Sequence, residues 1–308
     1  MAEKLRITLA LGFFDGVHIG HAKVLSETVR QAKLLSATPY CLFFLGNPKN
    51  KDGKAQLIND DEERERAIIS YGIEGLIGFP VNESNLNKSK DEFLKEIADK
   101  YNVVRYVVGE DFRFGRNAGG DTEYLKRYAS ENGGGVSVVK EVTDDGKRVS
   151  SSIIKEYLKN GEVEKANSLL TFPFSLAGTV VHGRAEGHKL GFPTANFYPD
   201  ARIVTLGNGV YAGYTIIDGN KYVAIINYGP RPTFSLDDVI VEAHVIGYSG
   251  DLYGKKVRMN FIGRLRGQIK FDSEKRLRDQ LEEDKKRAEL IVNANLNWQR
   301  TERYRLYD

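Results

Sequence analysis

The sequence predicts an α/β module followed by a small antiparallel β-barrel that ends in a helix. Three observations carry this expectation. Up to about residue 160, short apolar runs alternate with amphipathic helical stretches, the order that builds a parallel, doubly wound sheet. Beyond Phe172-Pro173-Phe174 the apolar runs follow each other with little helix between them, the pattern of a compact antiparallel sheet. At 308 residues the chain is also longer than one typical domain. The change of texture puts the boundary between Gly161 and Pro173, with expected domains of residues 1–165 and 172–308.

In the first half, Ile7 to Leu11 is an apolar run that reads as a strand. Ala22, Leu25, Val29 and Ala32 then recur at helical spacing until Ala37-Thr38-Pro39 stops the run. Tyr40 to Leu45 reads as a buried strand, and Asp60 or Asp61 caps a helix through Ile69 that Gly72 ends. Gly75 to Phe79 is strand-like. Ser89-Lys90-Asp91-Glu92 has the form of a capping box and opens a helix with Phe93, Leu94, Ile97 and Ala98 inward. Val103 to Val108 is the clearest strand, Asp121 to Glu131 a helix closed by three glycines, Val136 to Val139 a strand, and Ile153 to Leu158 a last helix.

In the second half the strand-like runs are Leu176 to His182, Tyr211 to Ile217, Tyr222 to Tyr228, Val239 to Gly247 and Lys256 to Phe261. Asp218-Gly219-Asn220 between two of them is a hairpin signal. A long charged helix follows Asp272-Ser273, with Leu277, Leu281, Ala288, Ile291 and Val292 on its apolar side.

Composition narrows the class. Hydrophobic residues make up 41% and charged residues 28% of the chain, values of a globular protein with real cores. A formal charge of +3 suits small phosphorylated ligands and, without a clustered basic patch, argues against nucleic acid. The single cysteine, Cys41, lies in an apolar run, so neither a disulfide within the chain nor a Cys-rich metal site is expected. Lys4 and Arg6 precede an apolar stretch, but Asp15 interrupts it and no cleavage pattern follows. No run approaches the ~18 apolar residues of a spanning helix. A cytoplasmic protein with no membrane partner is expected.

The stretch Gly12-Phe13-Phe14-Asp15-Gly16-Val17-His18-Ile19-Gly20-His21 joins a strand to a helix and holds two of the five histidines. With Gly20 between them, His18, His21 and the first helical N–H groups can face one anion, as helix starts do with phosphate. Gly109-Glu110-Asp111-Phe112-Arg113-Phe114-Gly115 follows a strand, and its aromatics among charges suit a planar polar ligand. Ser150-Ser151-Ser152 with Lys155 supplies hydroxyls and a cation at another helix start, or simply an N-cap. Gly183 to Gly191, with Gly187 between, is a glycine-rich basic loop. Thr194 and Asn196 can share a hard cation such as Mg²⁺ or belong to a Pro-containing turn. Glu242 alternates with buried positions beside His244, either as a solvated strand face or as a carboxylate able to deprotonate a hydroxyl. Arg266 stands out from a charged segment otherwise read as structural.

Taken in order, these motifs resemble one family, the bacterial bifunctional riboflavin kinase/FMN adenylyltransferases, from Leu9 to about Ala288. The resemblance rests on Gly12 to His21, Gly109 to Gly115, Gly191 to Asn196 and Asn227-Tyr228-Gly229 with Arg231-Pro232-Thr233-Phe234. It extends to Val241-Glu242-Ala243-His244 and Asp251-Leu252-Tyr253-Gly254. It implies a Rossmann-like nucleotidyltransferase domain of the H-x-G-H class and a riboflavin kinase-like barrel. ATP would be co-substrate, FMN and FAD products, and riboflavin, FMN and ATP the partners of a monomer or weak homo-oligomer.

On that resemblance His18 and His21 would hold ATP phosphates during adenylyl transfer, with Gly12, Phe13, Asp15, Gly20, Ser150, Ser151, Ser152 and Lys155 around the nucleotide. Asp111, Phe112 and Phe114 would lie on the flavin side. In the second half Gly183, Gly187 and Gly191 would cover phosphates, and Thr194 and Asn196 would hold Mg²⁺ and ATP. Glu242 would take the proton of the riboflavin 5′-hydroxyl, with Arg266 near the flavin.

Five positions depart from the family pattern: Phe13 for Asn, Asn47 for His before Pro48, Lys155 for Arg, and Gly267-Gln268 for Asp-Glu. Lys155 keeps charge but loses bidentate phosphate binding. The alternatives are a chain with one of the two activities, adenylyl transfer being the less secure, or a non-catalytic flavin-binding regulator, against which the retained Glu242 argues.

Overall fold

The computed structural model describes residues 3–47, 56–182, 194–230 and 239–301, with side chains described as far as residue 295. The chain forms two compact units, residues 1–151 and 152–308. The first runs β1 (Arg6–Leu11), α1 (Ile19–Leu35), β2 (Thr38–Leu45), α2 (Asp61–Ile69), β3 (Gly75–Pro80), α3 (Glu83–Leu86), α4 (Lys90–Lys100) and β4 (Asn102–Gly109). It continues through α5 (Thr122–Glu131), β5 (Gly135–Val139) and a short hairpin, β6 (Thr143–Asp144) and β7 (Lys147–Arg148). The sheet order is β3-β2-β1-β4-β5 and every pairing within it is parallel, so the expected doubly wound sheet is what forms.

The caps explain where the helices start. Asp60 accepts from the Glu63 N–H ahead of α2, and Ser89 and Glu92 complete the capping box of α4, each such cap being worth about 1 kcal/mol. Ile7, Leu9, Leu11, Leu42, Val108 and Phe93 share one core. The hairpin β6–β7 was not foreseen; its strands are two polar residues each, and only the left-handed Asp145 (φ 43°) and Gly146 (φ 74°) mark the turn.

The second unit takes α6 (Ser151–Lys159, which starts at the junction), α7 (Val163–Leu169), β8 (Ser175–Thr179), β9 (Thr194–Phe197), β10 (Gly209–Ile217), β11 (Asn220–Pro230), β12 (Val239–Val245), β13 (Lys256–Arg266) and α8 (Glu274–Thr301). Its six-stranded sheet has the order β8-β13-β10-β11-β12-β9, antiparallel throughout. A bridge between Val181 and Asn196 brings the end of the β8 segment to β9 and nearly closes the barrel. Thr194 and Asn196 therefore lie on a strand, and the alternative of a turn is ruled out for them. On the outer face, Ala288 and Val292 of α8 pack on Val210, Ala212 and Tyr214 of β10 and Ile262 and Leu265 of β13. Among the described residues no helix is long and apolar enough to cross a membrane.

Candidate active sites

In the first unit β1 and β4 are neighbours from which the sheet continues in opposite directions, so the switch point lies between their carboxyl ends, where doubly wound sheets bind ligands. The opening motif leaves β1 there and the Gly109 loop leaves β4. The turn out of β1 is tight: Phe14 (φ 52°), Gly16 (φ 84°) and Val17 (φ 38°) all sit in the left-handed region, a cost that side chains other than glycine rarely meet. It delivers His18 to the N-cap of α1, where its Nδ1 accepts the His21 N–H at 3.3 Å. The two rings stack with centroids 3.7 Å apart and planes 16° apart. A Cβ on Gly20 would come within 3.1 Å of the His18 ring, so glycine is what lets the imidazole lie back over the helix start.

Burial first, then the nearby Arg148, lowers the His18 pKa to about 4, with Asp111 opposing. Burial, then His18 and Arg64, holds His21 well below the ordinary imidazole range. Both rings are therefore neutral at physiological pH. Among the described residues the enclosed Nδ1 of His21 has no hydrogen-bond partner.

Asp15 is buried, and its Oδ1 accepts the Ile58 N–H at 2.7 Å. Its backbone carbonyl accepts the Ser151 hydroxyl at 2.9 Å, so the turn and the serine motif meet at this residue. Asp15 thus braces the turn. Ser150 precedes α6, and Ser152 and Lys155 follow on it. Gly12 lies where a Cβ would meet the Phe14 ring at 2.9 Å. Asn47, in the place of the family's histidine, is buried, and its Nδ2 donates to the Gln56 carbonyl at 3.2 Å.

The Gly109 loop divides its aromatics. Phe114, expected on the flavin side, is buried in the core against Phe93, and a partly exposed Phe112 stacks on it with centroids 5.5 Å apart. Asp111 is exposed and ion-paired with Arg148 of β7, which also reaches Glu141 at 3.1 Å.

Sequence reading passed over Arg64. It is 0% exposed, pairs with Asp61, donates to the Phe13 carbonyl at 3.3 Å, and has its guanidinium 5.6 Å from the Phe13 ring centroid and 5.2 Å from that of Phe43. The signal was available: Arg64 stands three and four residues before the buried Ala67 and Ile68, on the inward side of α2.

In the second unit, β12 sets Glu242 directly across from Asn196 on β9 and from Asn227 on β11. Val241 and Ala243 point into the core, so Glu242 and His244 share the other face with Thr194 and Asn196. The Thr194 hydroxyl donates to Glu242 Oε1 at 3.0 Å, and the Asn196 Nδ2 to Thr194 Oγ1 at 3.3 Å. The Thr194–Asn196 pair and Glu242, singled out for different reasons, thus form one hydrogen-bonded group. Arg266 is spoken for: its guanidinium pairs with the fully buried Asp284 of α8 at 2.8 Å. Gly183, Gly187 and Gly191 lie outside the described residues.

Comparison with known proteins agrees on both halves. Residues 1–153 match the family model described as FAD synthetase, and residues 170–292 match the model described as riboflavin kinase. The chain is 32% identical to the bifunctional riboflavin kinase/FMN adenylyltransferase of Bacillus subtilis, over 93% of this chain and 92% of that one. It is also 32% identical to the protein of that name from Buchnera aphidicola, over 90% and 91%. Its fold is similar to a solved Streptococcus pneumoniae structure described as a macrolide-efflux protein, with a TM-score of 0.83, 29% identity and coverage of 93% and 94%. With each half matched to its own model and the relatives similar over 90% or more of this chain, the chain belongs to the bacterial bifunctional riboflavin kinase/FMN adenylyltransferase family.

Proposed function

We propose that this chain makes FAD in two steps, each on its own domain, taken as residues 1–165 for adenylyl transfer and 172–308 for the kinase. In the first step riboflavin and ATP give FMN and ADP; in the second FMN and ATP give FAD and pyrophosphate. The observation that carries the reading is that each half matches its own family model and holds its own polar centre.

For the kinase step, Glu242 accepts the proton of the riboflavin 5′-hydroxyl as that oxygen attacks the γ-phosphorus and the bond to ADP breaks. The Thr194 hydroxyl orients the carboxylate by the 3.0 Å bond. Thr194 Oγ1 and Asn196 Oδ1 form an oxygen-only donor pair that fits Mg²⁺, a cation that takes oxygen ligands and keeps substrate phosphates among them. When bound there, Mg²⁺ would neutralise charge on the phosphate oxygens. Gly183, Gly187 and Gly191 would cover the phosphates.

For adenylyl transfer, a phosphate oxygen of FMN attacks the α-phosphorus and pyrophosphate leaves, without a covalent enzyme intermediate. His18 and His21, neutral imidazoles at the start of α1, offer N–H donors to the phosphates as charge builds on them. Gly12, Phe13, Gly20, Ser150 and Ser151 complete the nucleotide side, with Asp15 bracing the turn. Asp111 and Phe112 lie on the flavin side with Phe114 beneath them, and Arg266 fixes the segment beside the kinase flavin. A cytoplasmic monomer or weak homo-oligomer, acting on small molecules alone, suits this chemistry.

Incubation with riboflavin, ATP and Mg²⁺, followed by chromatography of the flavins, tests the reading. FAD supports both steps, FMN alone supports a kinase only, and unchanged riboflavin overturns the kinase; FMN supplied directly tests adenylyl transfer. His21→Ala is expected to abolish FAD and spare FMN, and Glu242→Gln to do the reverse when FMN is given. Loss of both products in His21→Ala would contradict two separate centres.

A further inference from the structure

We infer that Asn227 and Gln268 form a recognition pair for the polyol side chain of the flavin in the kinase centre, an inference that rests on the kinase reading of the second unit. The register of the barrel places them there. Val210, Asn227, Glu242 and Asn196 are cross-strand partners in succession over β10, β11, β12 and β9, so they form one row on one face of the sheet. Asn227 is the immediate neighbour of the carboxylate, a Cβ separation of roughly 5 Å.

Gln268 comes to the same point from the segment after β13. Its Nε2 donates to the Asn227 Oδ1 at 3.1 Å. A Cβ on Gly229 would lie 2.5 Å from that nitrogen, so the bare backbone of Gly229 gives the glutamine its resting place. The start of the segment is fixed from α8: Asp284 takes the Arg266 guanidinium at 2.8 Å and the Gln280 amide N–H at 3.1 Å.

The chemistry of the pair selects its ligand. Whichever way the two amides are turned, one N–H and one carbonyl lone pair are spent on each other, and both kinds of group are left over. A hydroxyl is itself a donor and an acceptor, so adjacent hydroxyls match this set. Phosphate does not, since the pair is neutral and Arg266, two residues before Gln268, is committed to Asp284. Distance separates the parts of the flavin. A group one strand from the carboxylate that takes the 5′-proton faces the hydroxyls next to that oxygen, whereas the pyrimidine edge lies at the far end of the molecule. Asn227 and Gln268 therefore read the side-chain hydroxyls and set the register in which the 5′-oxygen meets Glu242.

Steady-state kinase kinetics on the full chain test this with Asn227→Ala and Gln268→Ala, riboflavin and a flavin whose side chain carries one epimerised hydroxyl. The expected result is a riboflavin KM raised about tenfold or more with the KM for ATP unchanged. The preference for riboflavin over the epimer should shrink toward unity. The unchanged KM for ATP in the kinase assay, together with an unchanged urea midpoint of the second unit, shows that the variants are folded. A fall in kcat with KM and epimer preference unchanged would mean a purely structural pair and overturn the inference. If the wild-type chain makes no FMN, the kinase reading itself fails, and the inference with it.

Discussion

At the scale of single residues, the adenylyl centre is held by contacts with little slack. Gly20 leaves the His18 ring 3.1 Å from where a Cβ would be, closer than ordinary packing. Gly20→Ala therefore displaces the imidazole by a few tenths of an ångström, and FAD formation from FMN is expected to fall roughly tenfold, small misplacements being costly to positioned chemistry. FMN formation should be unchanged; an unaltered adenylyl rate would show that the stacked geometry is not needed.

The charge state of the same residue gives a second prediction. The His18 pKa is about 4 in the folded chain against an ordinary imidazole value of 6.5, so between these pH values the unfolded chain binds the extra proton. The stability tied to the neutral ring is thus fully present above about pH 6.5 and is lost as pH falls toward 4, on the order of 3 kcal/mol in all. Urea midpoints between pH 7.5 and 4.5 should fall more steeply for the wild type than for His18→Gln. Equal slopes would contradict a buried, neutral His18.

At the scale of elements, the strands and caps were legible because their signals are local: an apolar run, a Ser-x-x-Glu box, an Asp-Gly-Asn turn. What escaped notice were charged residues turned inward from charged stretches. Asp284 sits within the run Glu282-Glu283-Asp284-Lys285-Lys286, yet it falls between Leu281 and Ala288 in the spacing 277, 281, 284, 288, 291, which is the buried seam of a helix. Arg64 is hidden in the same way in α2. The hydrogen-bonded group of Thr194, Asn196 and Glu242 was foreseen only as separate parts, because the register that joins β9 to β12 is a long-range fact. The Asp284–Arg266 pair also predicts how α8 is held. Asp284→Ala leaves a guanidinium only 13% exposed without its partner and should cost about 3–5 kcal/mol in urea unfolding of the second unit. Arg266→Met combined with Asp284→Leu should recover most of that loss. If Asp284→Ala alone is neutral, α8 is held by its apolar seam and the ion pair contributes little.

At the scale of the whole molecule, two compact units with separate cores carry two separate polar centres. The product of the kinase step, FMN, is the substrate of adenylyl transfer. Nothing in the chemistry of either centre needs a residue of the other: the proton of the 5′-hydroxyl goes to Glu242, and the pyrophosphate leaves from a site built around α1. Activity should therefore be divisible between molecules. His21→Ala and Glu242→Gln proteins, each unable to convert riboflavin to FAD alone, are expected to do so when mixed, after a lag in which free FMN accumulates. The rate should rise when the His21→Ala partner is added in excess, since it supplies the intermediate. A mixture that makes FMN but no FAD, although Glu242→Gln converts added FMN normally, would show that FMN does not pass through solution, and the two centres would then have to act on one flavin without releasing it.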